Sequence, residues 1–196
     1  MGEHRRWAFV RNPWPVIVAG LAVVAVAVAA VISLSLAACG SHEAELAVVI
    51  SRLCKSVPVD RAGEVVLGYT CANDVSARDW QRHGGGGQCC RGKTFDTFCP
   101  LGPAIETELD PLEGLRIECR VNGEVRQDGS TEDLVFPVAH LVWYVSRVMT
   151  LFPGDMISTG TPSGVGPLSP GDRVDVQIEG IGTLSNRVMR VKEEPS

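Results

Sequence analysis

Residues 115–127 read LRIECRVNGEVRQ, and their centre, Asn122-Gly123, is the dipeptide that a two-residue type I′ turn prefers because both central positions need a positive φ. The stretch is a hairpin, and it sets the expectation of a mainly β, α+β fold. Glycine and proline supply 33 of the 196 residues, which favours tight turns and short strands over a helical bundle. Upstream, EAELAVVI (43–50) reads as a strand entering the core. A short helix around Asp60 to Val66 follows, and then LGYTCA (67–72), a strand ending at Asn73-Asp74. VSARDWQ (75–81) reads as one or two helical turns, with Arg78 and Gln81 three apart on one face. Residues 84–103, GGGGQCCRGKTFDTFCPLGP, predict a long structured loop with a short central strand.

Downstream, PVAHLVWYVSRVMTL (137–151) places Val138, Leu141, Val142, Val145, Val148 and Met149 on one stripe behind a proline, the pattern of the one long helix. Two Pro-Gly-Asp turns, at 153–155 and 170–172, precede the strands MIST and RVDVQIE, and IGTLSNRV closes the sheet. The hydrophobic share of 45% and charged share of 21% fit a folded chain. With a formal charge of −5 and no Lys/Arg-rich run, a nucleic-acid partner is not expected.

Residues 16–38 form an uncharged run long enough to cross a bilayer as a helix, preceded by Arg5, Arg6 and Arg11. It reads as a secretory signal, as a membrane anchor, or as sequence foreign to the folded domain; Leu36-Ala37-Ala38-Cys39 also resembles a bacterial lipidation box. Composition changes abruptly near residue 40, dividing the chain into an apolar segment, 1–40, and a folded domain, 41–196. The seven cysteines, Cys39, Cys54, Cys71, Cys89, Cys90, Cys99 and Cys119, include no CxxC pair and read as free thiols rather than a zinc site or a disulfide framework.

Side chains at i and i+2 of a strand share a face, so Glu43 and Glu45 point the same way. Such a pair is tolerated at a buried strand end only with a cation or protons between the carboxylates. With Asp74 at the next strand's exit they form a set of hard oxygen donors suited to Mg²⁺, Mn²⁺ or Ca²⁺. The same Glu-x-Glu is also the pattern of a solvated edge.

Six blocks, HEAELAVVI, GYTCANDVSARDWQ, GKTFDTFCPLGPA, VNGEVRQDGST, PGDMISTGTPSGVG and GDRVDVQIEGIGTLSN, spread over residues 42 to about 190, resemble the fumarylacetoacetate hydrolase family in order and spacing, specifically its smaller domain-containing branch. The resemblance implies a mixed β-sheet roll, a homodimer, and a divalent cation, Mg²⁺ first, on Glu43, Glu45 and Asp74. It places the catalytic lysine at Lys93, and substrate contacts at Arg78, Gln81 and Thr161.

The implied chemistry is that of a hydrolase or a keto-enol tautomerase or isomerase of small oxo acids, of the acylpyruvate, oxaloacetate or fumarylacetoacetate type, working through a metal-bound enolate. Lys93 would add positive charge or shuttle a proton, Arg78 would offer a forked donor to a substrate carboxylate, and Gln81 or Thr161 would donate single hydrogen bonds. The family's smaller mitochondrial members imply oxaloacetate tautomerase activity and a mitochondrial or cytoplasmic location. Other roles are a solvated charge for Lys93, a salt bridge to Asp79 or Asp74 for Arg78, and a turn-stabilising hydroxyl for Thr161.

The chain also departs from the family. The H-x-x-E element of the family's lid has no counterpart upstream, since neither His4 nor His42 leads such an element ahead of the metal strand. Cys89 stands in place of a tryptophan, Ser51 in place of a glycine, and Gly84 to Gly87 add flexibility before Lys93, leaving His83 and His140 as substitute bases. The rival expectation is a non-catalytic remnant without the lid, held at a membrane if residues 16–38 are an anchor.

Overall fold

The computed structural model describes residues 34–35, 40–82 and 89–189. His4, His83, Cys39, Gly84 to Gly87 and nearly all of the apolar run 16–38 lie outside the described residues, and with them the readings placed there. Leu34–Ser35 is the exception: it forms a short strand, β1. The strands that follow are β2 (Gly40–His42), β3 (Ala44–Ile50), β4 (Val66–Asn73), β5 (Ser76–Ala77), β6 (Leu101–Glu106), β7 (Arg116–Val121), β8 (Glu124–Ser130), β9 (Met156–Ser158), β10 (Gly166–Pro167), β11 (Arg173–Ile178) and β12 (Gly182–Met189). Two α-helices, α1 (Arg78–Arg82) and α2 (Val138–Val148), complete the set with a few 3-10 turns. The strands form three sheets, ordered β1-β12-β11-β7-β8, β6-β4-β3-β9 and β10-β2-β5. The mainly β expectation holds.

The hairpin β7–β8 turns at Asn122 and Gly123 with φ of 54° and 84°, the paired positive values that the dipeptide announces. Asn122 does more than turn: its Oδ1 accepts from Arg173 N at 2.9 Å and its Nδ2 donates to Asp172 Oδ1 at 2.8 Å. The hairpin tip is thereby fastened to the Pro-Gly-Asp turn that launches β11. Along β7, Ile117, Cys119 and Val121 face the core, where Val174, Val176 and Ile178 of β11 and Leu184 and Val188 of β12 meet them. On the opposite face Glu118 is buried between two arginines, accepting from Arg116 Nη2 at 2.7 Å and Arg120 Nε at 2.5 Å.

β3 lies inside its sheet between β4 and β9, and all seven of its residues are buried. A strand covered on both faces needs no polar alternation, which is why LAVVI is a continuous apolar run. Ala44, Leu46, Val48 and Ile50 join the core shared with β7, β11 and β12. Glu45, Ala47 and Val49 therefore occupy the other face.

The short helix expected near Asp60 is present, as a 3-10 helix over Val59–Val65. Two local expectations need correction. Loop 84–103 carries no central strand within its described part; it has a 3-10 turn over Cys90–Gly92, and extended structure begins only at Leu101. Thr97 and Cys99 take φ of 69° and 58°, a left-handed conformation that a strand cannot contain. The stripe on α2 also ends early, because Val148 and Met149 are 64% and 54% exposed. The buried face centres on Val142; at 100° per residue Val148 lies roughly 120° round from it, and Met149 leaves the helix with φ of −132°.

Cys54, Cys71, Cys89, Cys90, Cys99 and Cys119 carry free thiols. Among the described residues no helix is long and apolar enough to cross a membrane.

Leu46 is fully buried at the centre of β3, so Leu46→Ala leaves a cavity where two sheets meet. The expected loss is about 2–5 kcal/mol of folding stability, measured by urea denaturation.

Candidate metal centre

Glu43 occupies a one-residue break between β2 and β3, where the chain passes from one sheet to the next. The break is held from the side of β4: Glu43 N donates to Asn73 Oδ1 at 2.9 Å, and Asp74 N donates to Glu43 O at 2.8 Å. This pairing brings Asp74 out of β4 beside Glu43, while the alternation of β3 returns Glu45 to the same face. One oxygen from each of Glu43, Glu45 and Asp74 can be chosen so that all lie within 4.8 Å of one another. The strand-face argument and the strand-exit argument thus converge on one point.

Three anions so close need compensation. Lys93 Nζ donates to Glu43 Oε2 at 2.9 Å and to Asp74 Oδ2, and the guanidinium of Arg78 pairs with Glu43 Oε1. Arg78 Nη1 also donates to Gln81 Oε1 at 3.0 Å, the contact that their three-residue spacing allows. Arg78 thus engages Glu43 rather than Asp79 or Asp74. Burial alone would lower the Lys93 ammonium, but the Asp74 and Glu43 carboxylates hold it above its ordinary value. Glu45 fares differently. It accepts from Gly160 N at 3.0 Å, but burial, reinforced by the Asp74 and Glu43 charges, pushes its carboxyl up to about 7.

The turn that carries Lys93 rests directly on α1. A Cβ at Gly92 would stand 2.5 Å from Gln81 Cγ and 2.9 Å from Ala77 O, so only glycine permits the approach. Thr161 is placed otherwise than as a donor to substrate: its hydroxyl donates to Ala44 O at 2.8 Å and accepts from Gln127 Nε2 at 2.7 Å. Its single proton is committed to the backbone of β3.

Ser51, in place of a glycine, keeps its backbone N–H on Val65 O at 2.8 Å, and its enclosed Oγ has no hydrogen-bond partner among the described residues. His140 sits between the rings of Phe136 and Trp143, with centroids 4.9 and 4.7 Å away, on α2, which packs against the 3-10 helix at Val59–Val65.

The donors fit a hard divalent cation. All three are carboxylates, and among the described residues Lys93 and Arg78 leave one negative charge without its own counter-ion. Glu45 answers that excess by holding a proton near neutrality, the place a cation would take.

The family profile described as "Fumarylacetoacetate (FAA) hydrolase C-terminal" matches residues 4–189. The chain belongs to the fumarylacetoacetate hydrolase family. An uncharacterized protein of Methanocaldococcus jannaschii is 53% identical over 147 residues, 75% of this chain and 61% of that one. The mitochondrial oxaloacetate tautomerase FAHD2A of Homo sapiens is 49% identical over 157 residues, 75% of this chain and 50% of that one. Among solved structures, a 5-carboxymethyl-2-hydroxymuconate delta-isomerase from Mycobacterium smegmatis superposes with a TM-score of 0.77 at 51% identity, over 82% of this chain and 65% of the other. A 2-hydroxyhepta-2,4-diene-1,7-dioate isomerase from Mycobacterium marinum gives 0.77 at 49% identity, over 83% and 64%. The chain spans about half to two thirds of the length of these family members.

Several residues of the centre escaped the sequence reading: Asn73, Gly160, His42 and Gln127. Asn73 and His42 adjoin the singled-out acids in sequence. Gln127 lies in the quoted hairpin, and a buried amide in a strand always needs partners.

Glu45 gives the metal-free chain a pH signature. An acid that holds its proton more tightly when folded adds nothing to stability below its ordinary value, here 4.5, where both states are protonated. As pH rises to about 7 the unfolded chain ionises first, so stability falls across that window and levels off above it. Thermal midpoints measured in chelator between pH 4.5 and 8 should decline in this way, and Glu45→Gln should remove that part of the decline.

Proposed function

We propose that the chain is a divalent-metal-dependent enzyme that interconverts keto and enol, or isomeric, forms of small oxo acids. The observation that supports it is the meeting of Glu43, Glu45 and Asp74 with Lys93 and Arg78. The three carboxylates would hold Mg²⁺, with Mn²⁺ or Ca²⁺ as substitutes. A bound divalent cation supplies Lewis-acid polarisation of a substrate carbonyl.

Loss of the carbon-bound proton to water leaves negative charge on the carbonyl oxygen. Lys93, kept protonated by its neighbours, offers an ammonium Nζ that balances that charge and gives its proton to the oxygen, recovering one from solvent, and the steps reverse in the other direction. Arg78, with its side chain 33% exposed, has N–H groups left for a substrate carboxylate, and Gln81 fixes the plane of its guanidinium through Nη1. A dicarboxylic oxo acid of oxaloacetate type is therefore the first substrate class. The relatives described above, a tautomerase and two isomerases, favour proton transfer over carbon–carbon hydrolysis. The proposal includes the homodimer that the family resemblance implies, and a mitochondrial or cytoplasmic location.

The test is the loss of enol absorbance with oxaloacetate and with a short acylpyruvate, in Mg²⁺ and in chelator. Turnover should require the metal. Lys93→Ala should lower kcat by about a hundredfold or more while Mn²⁺ still binds, and Glu45→Ala should abolish both. Metal binding without turnover on either substrate would overturn the proposal in favour of a non-catalytic family member.

A further inference from the structure

On the side of β3 facing β9, the main-chain partner runs out before the acids are reached. β9 pairs with Ala47, Val48 and Val49, and Thr159 N reaches Leu46 O at 3.1 Å; beyond that point the chain turns away toward Gly160. Ala44, between the two glutamates, points its N–H and C=O toward this vacated side. Both are nevertheless satisfied, by side chains: Gln127 Oε1 accepts from Ala44 N at 3.1 Å, and Thr161 Oγ1 donates to Ala44 O at 2.8 Å. Two side chains stand in for a missing strand.

Gln127, 1% exposed on β8 of the other sheet, has its amide orientation fixed by its surroundings. Its Nε2 donates to Pro162 O at 2.8 Å, an atom that can only accept, and to Thr161 Oγ1 at 2.7 Å. Its Oε1 therefore faces the donors, Ala44 N and, at 3.0 Å, Nδ1 of the buried His42. One amide thus holds His42 and Ala44, the residues on both sides of Glu43, and Ala44 is also the residue preceding Glu45. On the other side, Asn73 and Asp74 hold Glu43 itself.

We propose that Gln127, acting with Thr161, is a positioning residue for the carboxylate centre, clamping the backbone of Ala44 and the ring of His42 so that Glu43 and Glu45 present their oxygens together. The inference rests on the proposed metal-dependent function. It assigns Thr161 a task that needs no substrate, so the two can be separated without turnover.

Mn²⁺ affinity of the full chain, measured by calorimetry without substrate, is the readout, with circular dichroism as the check on folding. Gln127→Met keeps the length and loses every polar contact, and should weaken Mn²⁺ binding about tenfold or more. Thr161→Val should weaken it similarly and Thr161→Ser should restore it, which decides the matter if Gln127→Met fails to fold. Val176→Ala, a core change away from the acids, should leave affinity within twofold of the unaltered chain. Unchanged affinity in Thr161→Val, or an equal loss in Val176→Ala, would overturn the clamp and leave the proposed function standing. Failure of the unaltered chain to bind Mn²⁺ would overturn both.

Discussion

The crowding of Glu43, Glu45 and Asp74 is the constraint on which the rest of the molecule turns. In water three carboxylates separate; within a folded centre they stay together only if backbone geometry forces them and opposite charge offsets the repulsion. Both conditions are met, from different parts of the chain. The strands force the approach, since Glu43 at the break just before β3 and Glu45 on β3 share a face and the exit of β4 brings Asp74 beside them. The segment after β4 supplies the offset, with Arg78 on α1 and Lys93 on the turn that follows. The excess charge then falls on Glu45, which pairs with no cation among the described residues.

That division of labour explains the placing of the three sheets. The four-stranded sheet carries the acids, and the short sheet β10-β2-β5 leads into Glu43 on one side and out to Arg78 on the other. The five-stranded sheet packs its core face against the even-numbered residues of β3 and sends Gln127 from β8 to the strand's unpaired end. Apolar packing on one face of β3 and charge chemistry on the other are thus joined through a strand with no exposed residue.

Much of this could be read before any coordinates. Asn122-Gly123 announced its hairpin because few sequences tolerate two positive φ values in succession, and Glu43 and Glu45 share a face because strand periodicity is strict, with Asp74 brought beside them at the exit of β4. The three-residue spacing of Arg78 and Gln81 put them on one face, while the resemblance supplied their roles and that of Lys93, which lies in a turn that carries no such rule. What stayed hidden depended on contacts between distant segments. The single proton of Thr161 points at Ala44, a fact set by the path of the loop after β9. The left-handed φ at Thr97 and Cys99 replaced an expected strand because neither residue type advertises that conformation. The outward turn of Val148 shows the limit of a stripe drawn from spacing alone, since the width of a helix's buried face is decided by its neighbours.

The close seating of Gly92 on Gln81 and Ala77 ties together two parts of the chain separated by more than ten residues. Arg78 and Lys93 approach the acids from separate elements, one helical and one in a turn, yet the missing side chain at Gly92 lets those elements touch with no space between them. The backbone that carries the ammonium is therefore seated on the same short helix that carries the guanidinium, and a larger residue at position 92 would disturb the approach of both cations to the carboxylates.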